Sequence, residues 1–107
     1  MDKYLLIGSR DPFEAKSASD LYDLAAALAK EGTVTLFLAQ DAVFPARRCG
    51  ESQRLTDLAK AGVQVLADEF ALRERGIRND QLARGVEPAS LDAVIDCLAE
   101  GRKALWH

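Results

Sequence analysis

The chain has 107 residues, 49% hydrophobic and 29% charged, the size and balance of one water-soluble domain with no room for a second core. Its formal charge of −3, from 14 basic and 17 acidic side chains, gives no pull toward nucleic acid or acidic lipid, and no apolar run approaches the roughly 20 residues of a membrane span. Two cysteines without a C-x-x-C pair, and a single histidine at position 107, fall short of a disulfide framework or a closed zinc site, so no metal or cofactor is expected.

The first apolar run, Lys3–Gly8, stops at a Gly-Ser turn and is too short for a signal peptide. It reads as a first buried strand, and the expected compartment is the cytoplasm. After a loop broken by Asp11-Pro12, Leu21, Leu24, Ala25 and Leu28 fall on one stripe of a helix over Ser17–Glu31, with Ser17 or Ser19 to cap its start and Gly32 its end. Thr33–Ala39 is β-branched and apolar throughout, which predicts a central strand covered on both faces. "QDAVFPARRCGES" predicts a loop with at most one helical turn before Pro45. A helix over Glu51–Ala61 and a strand over Val63–Ala67 follow. Next come a short helix over Glu69–Arg75 closed by Gly76, an irregular stretch over Ile77–Leu82 and a short edge strand within Gly85–Ala89. Ser90 caps a last helix with Leu91, Val94, Ile95 and Leu98 on one face, ending at Gly101, and Lys103–Trp106 is a final strand.

Strands alternating with helices predict an α/β fold: a three-layer sandwich with a mostly parallel five-stranded sheet flanked by helices, in a single domain over residues 1–107. Ligands of such sheets bind past the carboxyl ends of the strands. That rule nominates the loops Ser9–Lys16, Gln40–Gly50 and Asp68–Arg75.

Cys49 is the one candidate nucleophile in those loops. Thiolates attack and thiols do not, and flanking Arg47 and Arg48 would stabilise the anion if their side chains reach the sulfur. Neighbours in an extended loop point apart, and no histidine base is at hand, so an ordinary loop cysteine remains open beside the reactive thiol. Cys97 reads as a small core residue on the edge of the last helical stripe. Asp11, Asp41 and Asp68 each follow a strand, where they can meet around a pocket or serve as turn and cap residues. Arg73, Arg75 and Arg78 can gather around an anion or end a solvated helix. Two known α/β sites do not match. A receiver-type phosphorylation site lacks its acidic pair after the first strand, and a flavodoxin-type phosphate loop is interrupted by Asp-Pro and Phe-Glu.

The order and spacing of several segments resemble the DsrE/DsrF/DsrH-like (YchN-like, Tus) sulfur-relay family across nearly the whole chain. They are the Asp11-Pro12 loop, "LYDLAAALAKEG", "VTLFLAQDAVFPA" and "LAKAGVQVLADEFALRERGI". The strand-2 segment and terminal "ALW" look closest to the DsrH/TusB branch and the "DP" loop to the DsrE branch. The resemblance implies a flavodoxin-like layering, homo- or hetero-oligomers of related subunits with a possible sulfur-carrier protein as partner, and transfer of sulfane sulfur as a cysteine persulfide. It does not imply a nucleic-acid or membrane partner. In the DsrE branch the acceptor cysteine lies in the loop after strand 3, where this chain has Asp68-Glu69-Phe70-Ala71. A carboxylate cannot hold a persulfide, so the resemblance carries no catalytic residue onto Asp68. The expectation is a sulfur-relay protein, a sulfurtransferase or sulfur-carrier component, with Cys49 as carrier and Arg47, Arg48 and Arg75 supporting its anion. The alternative is a non-catalytic assembly subunit or small-ligand binder of the same fold.

Overall fold

The computed structural model describes residues 2–11, 16–47 and 52–106, with side chains throughout those ranges except at 16–18. Five strands, β1 (Asp2–Gly8), β2 (Gly32–Leu38), β3 (Gln64–Asp68), β4 (Val86–Ala89) and β5 (Lys103–Trp106), form one sheet in the order β4-β3-β2-β1-β5. Four helices accompany them: α1 (Lys16–Ala29), α2 (Gln53–Lys60), α3 (Glu69–Glu74) and α4 (Asp92–Ala99). All the strand pairings are parallel, where the sequence predicts a mostly parallel sheet.

Handedness decides the layering. From β1 to β4 each connection steps to the next strand in one direction, so right-handed crossovers put α1, α2 and α3 on a single face. The connection from β4 to β5 runs back past β1, and the same hand puts α4 on the other face. The cores divide accordingly. Leu6, Leu36 and Val65 pack with Leu21 and Tyr22 of α1, Leu55 of α2 and Leu72 of α3. Leu5, Ile7, Phe37 and Leu66 pack with Val94 and Cys97 of α4. Successive strand residues point to opposite faces, so β1 and β2 need apolar residues at nearly every position.

Three local expectations are corrected. Gly32 is not a helix C-cap. It opens β2 opposite Asp2, and a Cβ there would run into the Asp2 carbonyl oxygen. Ser17 and Ser19 lie inside α1, and Ser19 Oγ instead accepts a 2.7 Å hydrogen bond from Arg54. The loop after β2 is a 3-10 helix over Gln40–Ala46 with Pro45 inside it.

The last helix is turned relative to its predicted stripe. Val94 and Cys97 are buried, whereas Leu91, Ile95 and Leu98 are 61%, 57% and 51% exposed. Alone on its face among the described residues, α4 rests on the side that fits between Leu5, Phe37 and Leu66, and none of those residues covers its other apolar side. Ser90 does act as predicted, accepting from the Asp92 N–H at 3.2 Å.

Arg102 ties the amino edge of the sheet together from beside α4. Its Nη1 donates to Thr35 Oγ1 at 2.7 Å, its Nε donates to Glu100 at 2.8 Å, and Thr35 in turn donates to Gln64 Oε1 at 2.9 Å. The hydrogen bond and charge of Arg102 lower the Glu100 carboxyl below its ordinary 4.5. Replacing Arg102 with Met leaves the buried Thr35 hydroxyl without its charged partner and should cost about 1.5–3 kcal/mol in urea unfolding at neutral pH. A carboxyl lowered in the folded state stabilises fully above its unfolded value and loses that effect as pH falls through the folded one. The acid limb below pH 4.5 should therefore flatten in Arg102→Met.

Candidate functional site

The chain leaves β2 through a sharp turn. Ala39 N–H donates to the Gly8 carbonyl at 2.8 Å, and Gln40 then adopts φ 50°, a left-handed conformation unusual for a residue with a side chain. This turn sends Asp41 over the carboxyl edge of the sheet toward α3. There a crevice of about 450 Å³ opens. Ala39, Gln40 and Asp41 form one side; Asp68, Phe70, Ala71, Glu74 and Arg75 form another, and Trp106 closes it from the end of β5.

An ion pair bridges those walls. Arg75 donates to the Asp41 carboxylate through Nη2 at 2.9 Å and through Nε at 3.3 Å. Its Nη1 donates to the Ala71 carbonyl at 3.3 Å and lies 4.0 Å from the Glu74 carboxylate. The guanidinium carbon also sits 5.7 Å from the centre of the Phe44 ring. Asp68 precedes α3 with extended backbone, and its side chain accepts from the Ala71 N–H at 3.3 Å, capping that helix.

Three of the residues that the sequence nominates, Asp41, Asp68 and Arg75, therefore line one crevice. Asp11 and Arg47 are not among its walls, and Arg47 instead bridges to Leu82 near the 3-10 helix. Arg48 and Cys49 lie outside the described residues. The three arginines of "LRERGIR" do not gather. Arg75 turns to Asp41 and Arg78 pairs with Asp80 at 3.1 Å, while Arg73 is solvent-exposed. Cys97 is buried under α4, on the other side of the sheet from α1, α2 and α3. Among the described residues, then, no thiol faces the crevice.

Sequence reasoning missed the aromatic walls. Phe70 and Trp106 are 58% and 67% exposed. Trp106 ends the last strand, so the rule that nominates loops at strand carboxyl ends reaches it once that strand is placed beside β1. Phe70 follows from α3 burying Ala71 and Leu72, which turns the preceding residue outward.

Away from the crevice, the Tyr22 hydroxyl of α1 is buried with no hydrogen-bond partner among the described residues. Arg54 lies 5.1 Å from the centre of its ring. Burial pushes the Tyr22 pKa up to about 12, with the Asp11 charge adding to the rise and Arg54 opposing it. Tyr22→Phe deletes a buried polar group that is unpaired among the described residues, so urea unfolding at neutral pH should show unchanged or slightly higher stability. A raised folded pKa leaves stability intact below the ordinary 10.0 and erodes it as pH climbs toward 12. Tyr22→Phe should be free of that component of alkaline loss.

The molecule is thus a three-layer α/β domain with its candidate site at the carboxyl edge of a parallel sheet. The model of the DsrE/DsrF-like family matches residues 2–106, and the chain belongs to that family. The structure of the ychN protein from E. coli is similar with a TM-score of 0.90 at 26% identity, covering 100% of both chains. A protein of unknown function from Methanobacterium thermoautotrophicum, MTH1491, has a TM-score of 0.79 at 22% identity over 100% of both chains. A conserved protein of unknown function from Bacteroides thetaiotaomicron, BT1422, has a TM-score of 0.79 at 15% identity, covering 99% of this chain and 95% of that one. These last two share the fold. None of the curated proteins matches the chain.

Proposed function

We propose that the chain is a cytoplasmic sulfur-relay component that carries, or helps transfer, sulfane sulfur as a cysteine persulfide within an oligomeric complex. Membership of the DsrE/DsrF-like family over residues 2–106 is the observation that carries this reading. The thiol inventory narrows it. The chain has two cysteines and Cys97 is buried in an apolar cluster, which leaves Cys49 as the carrier. In the transfer step the Cys49 thiolate attacks the outer sulfur of a donor persulfide. One S–S bond forms as another breaks, the donor leaves as a thiolate, and no external oxidant or reductant is consumed. Arg47 and Arg48, adjacent in sequence, supply positive charge for the anion, whereas Arg75 is engaged by Asp41. Incubation with polysulfide or thiosulfate should add sulfur mass to the Cys49 peptide, and Cys49→Ser should abolish it. Peptide mass spectrometry showing no adduct, or one unchanged in the variant, would sink the carrier role.

A second reading, a non-catalytic assembly subunit, is favoured by Asp68 standing at the head of α3 where the DsrE branch places a cysteine, and by the bare side of α4. Leu91, Ile95 and Leu98 offer a continuous apolar stripe for a related subunit. Sedimentation should show an oligomer, formed alone or with a cysteine-bearing homologue. Burial of one such side chain contributes about 1.5–3 kcal/mol, so Ile95→Glu should weaken assembly at least about tenfold. A chain that stays monomeric in both mixtures removes this reading.

A further inference from the structure

We propose that the crevice at the carboxyl edge of the sheet binds an organic cation: a primary ammonium or guanidinium group on a short alkyl stem. Charge decides the sign of the occupant. Among the described residues, Asp41, Asp68 and Glu74 line the crevice against a single guanidinium, that of Arg75. Arg75 is already engaged by Asp41, the Ala71 carbonyl and the face of Phe44. An incoming anion would meet carboxylates in surplus and a cation with three of its five N–H donors already spent. An incoming cation meets Glu74, whose link to Arg75 is a loose 4.0 Å, and Asp68, whose carboxylate spends one oxygen on a single backbone donor.

The walls decide what kind of cation. Phe70 and Trp106 leave ring surface open beside these carboxylates, and aromatic faces attract ammonium and guanidinium groups through the ring quadrupole. Ala39 and Ala71 add small apolar surface for an alkyl stem. A divalent metal is a poorer fit, because among the described residues no three carboxylate, cysteine or histidine side chains come together as a ligand set. The volume, about 450 Å³, suits a small molecule or one side chain. Two sources share this chemistry: a free alkyl amine, and a lysine or arginine side chain presented by a partner protein. No thiol among the described residues lines the crevice, so binding should be the same in Cys49→Ser, and failure here leaves the sulfur chemistry of Cys49 untouched.

Trp106 is the chain's one tryptophan and lines the crevice, so its fluorescence reports on this site alone. Titration with agmatine, and separately with an acetyl-Gly-Arg-Gly-amide peptide, should give a saturable change in emission. The neutral alkyl alcohol 1-butanol and the anion thiosulfate should give none. Glu74→Gln, and Asp68→Asn with its capping oxygen retained, should each weaken binding about threefold, the scale of an exposed charge pair. Raising salt from about 20 to about 300 mM should weaken it further through screening. Tighter agmatine binding identifies a free amine as the occupant, and tighter peptide binding identifies a partner's side chain. The proposal is overturned if neither cation saturates, if 1-butanol or thiosulfate binds as well, or if both variants bind like the wild type.

Discussion

The handedness of the parallel crossovers governs this molecule more than any single contact. Once the strands lie in the order β4-β3-β2-β1-β5, three right-handed connections must put their helices on one face, and the fourth must cross the other. The first face receives α1, α2 and α3 and the larger core. The second receives only α4, whose eight residues cover Leu5, Ile7, Phe37 and Leu66 with Val94 and Cys97. An amphipathic helix normally keeps its polar side outward. This one is apolar on both sides, and the topology leaves one side uncovered. The bare Leu91, Ile95 and Leu98 stripe is thus a consequence of strand order, as is the exposure of all four residues of the edge strand β5.

Polar clamps close the sheet at its two edges, and they differ in character. At the amino edge Arg102 is largely enclosed and uses its charge to satisfy the buried Thr35 hydroxyl, so the contact holds structure. At the carboxyl edge Arg75 faces a half-exposed Asp41 across an open crevice. An exposed pair of this kind contributes little to stability. Its effect is to fix where the charges lie. With Arg75 held over Phe44, the remaining carboxylates face a space walled by open aromatic rings.

Much of the layering was legible because period and composition agree within an element. Thr33 to Ala39 is apolar at nearly every position, which only a strand covered on both faces requires, and β2 occupies Gly32–Leu38. The stripe of α1 was equally plain, with Leu21 and Ala25 buried as the spacing implies. For α4 the same reasoning failed on orientation. Periodicity reports which residues are apolar, not which side of the helix will find cover, and Cys97 took the place expected for Leu98. Gly32 misled for a different reason: a glycine after a helix looks like a cap, but the close approach of Asp2 that requires it here involves a residue thirty positions away. In the site, Asp41 and Asp68 were legible because each follows a strand, and Arg75 because it closes the short helix after the third. Phe70 and Trp106 were not, since their meeting depends on β5 returning to the far side of β1.

The crevice also constrains how sulfur chemistry can coexist with this version of the fold. A persulfide is an anion when reactive, and a carboxylate at Asp68 would repel it as strongly as a thiolate's usual cationic neighbours would hold it. Arg75 cannot turn fully to such an anion without releasing Asp41, which would leave that carboxylate unpaired in the same space. An anionic sulfur carrier is therefore poorly matched to the described walls of this crevice. Asp68 meanwhile keeps a structural task at the head of α3. Charge thus separates the two activities proposed for this chain: the space lined by Asp68, Glu74 and Trp106 disfavours an anionic sulfur species and is left to a cation.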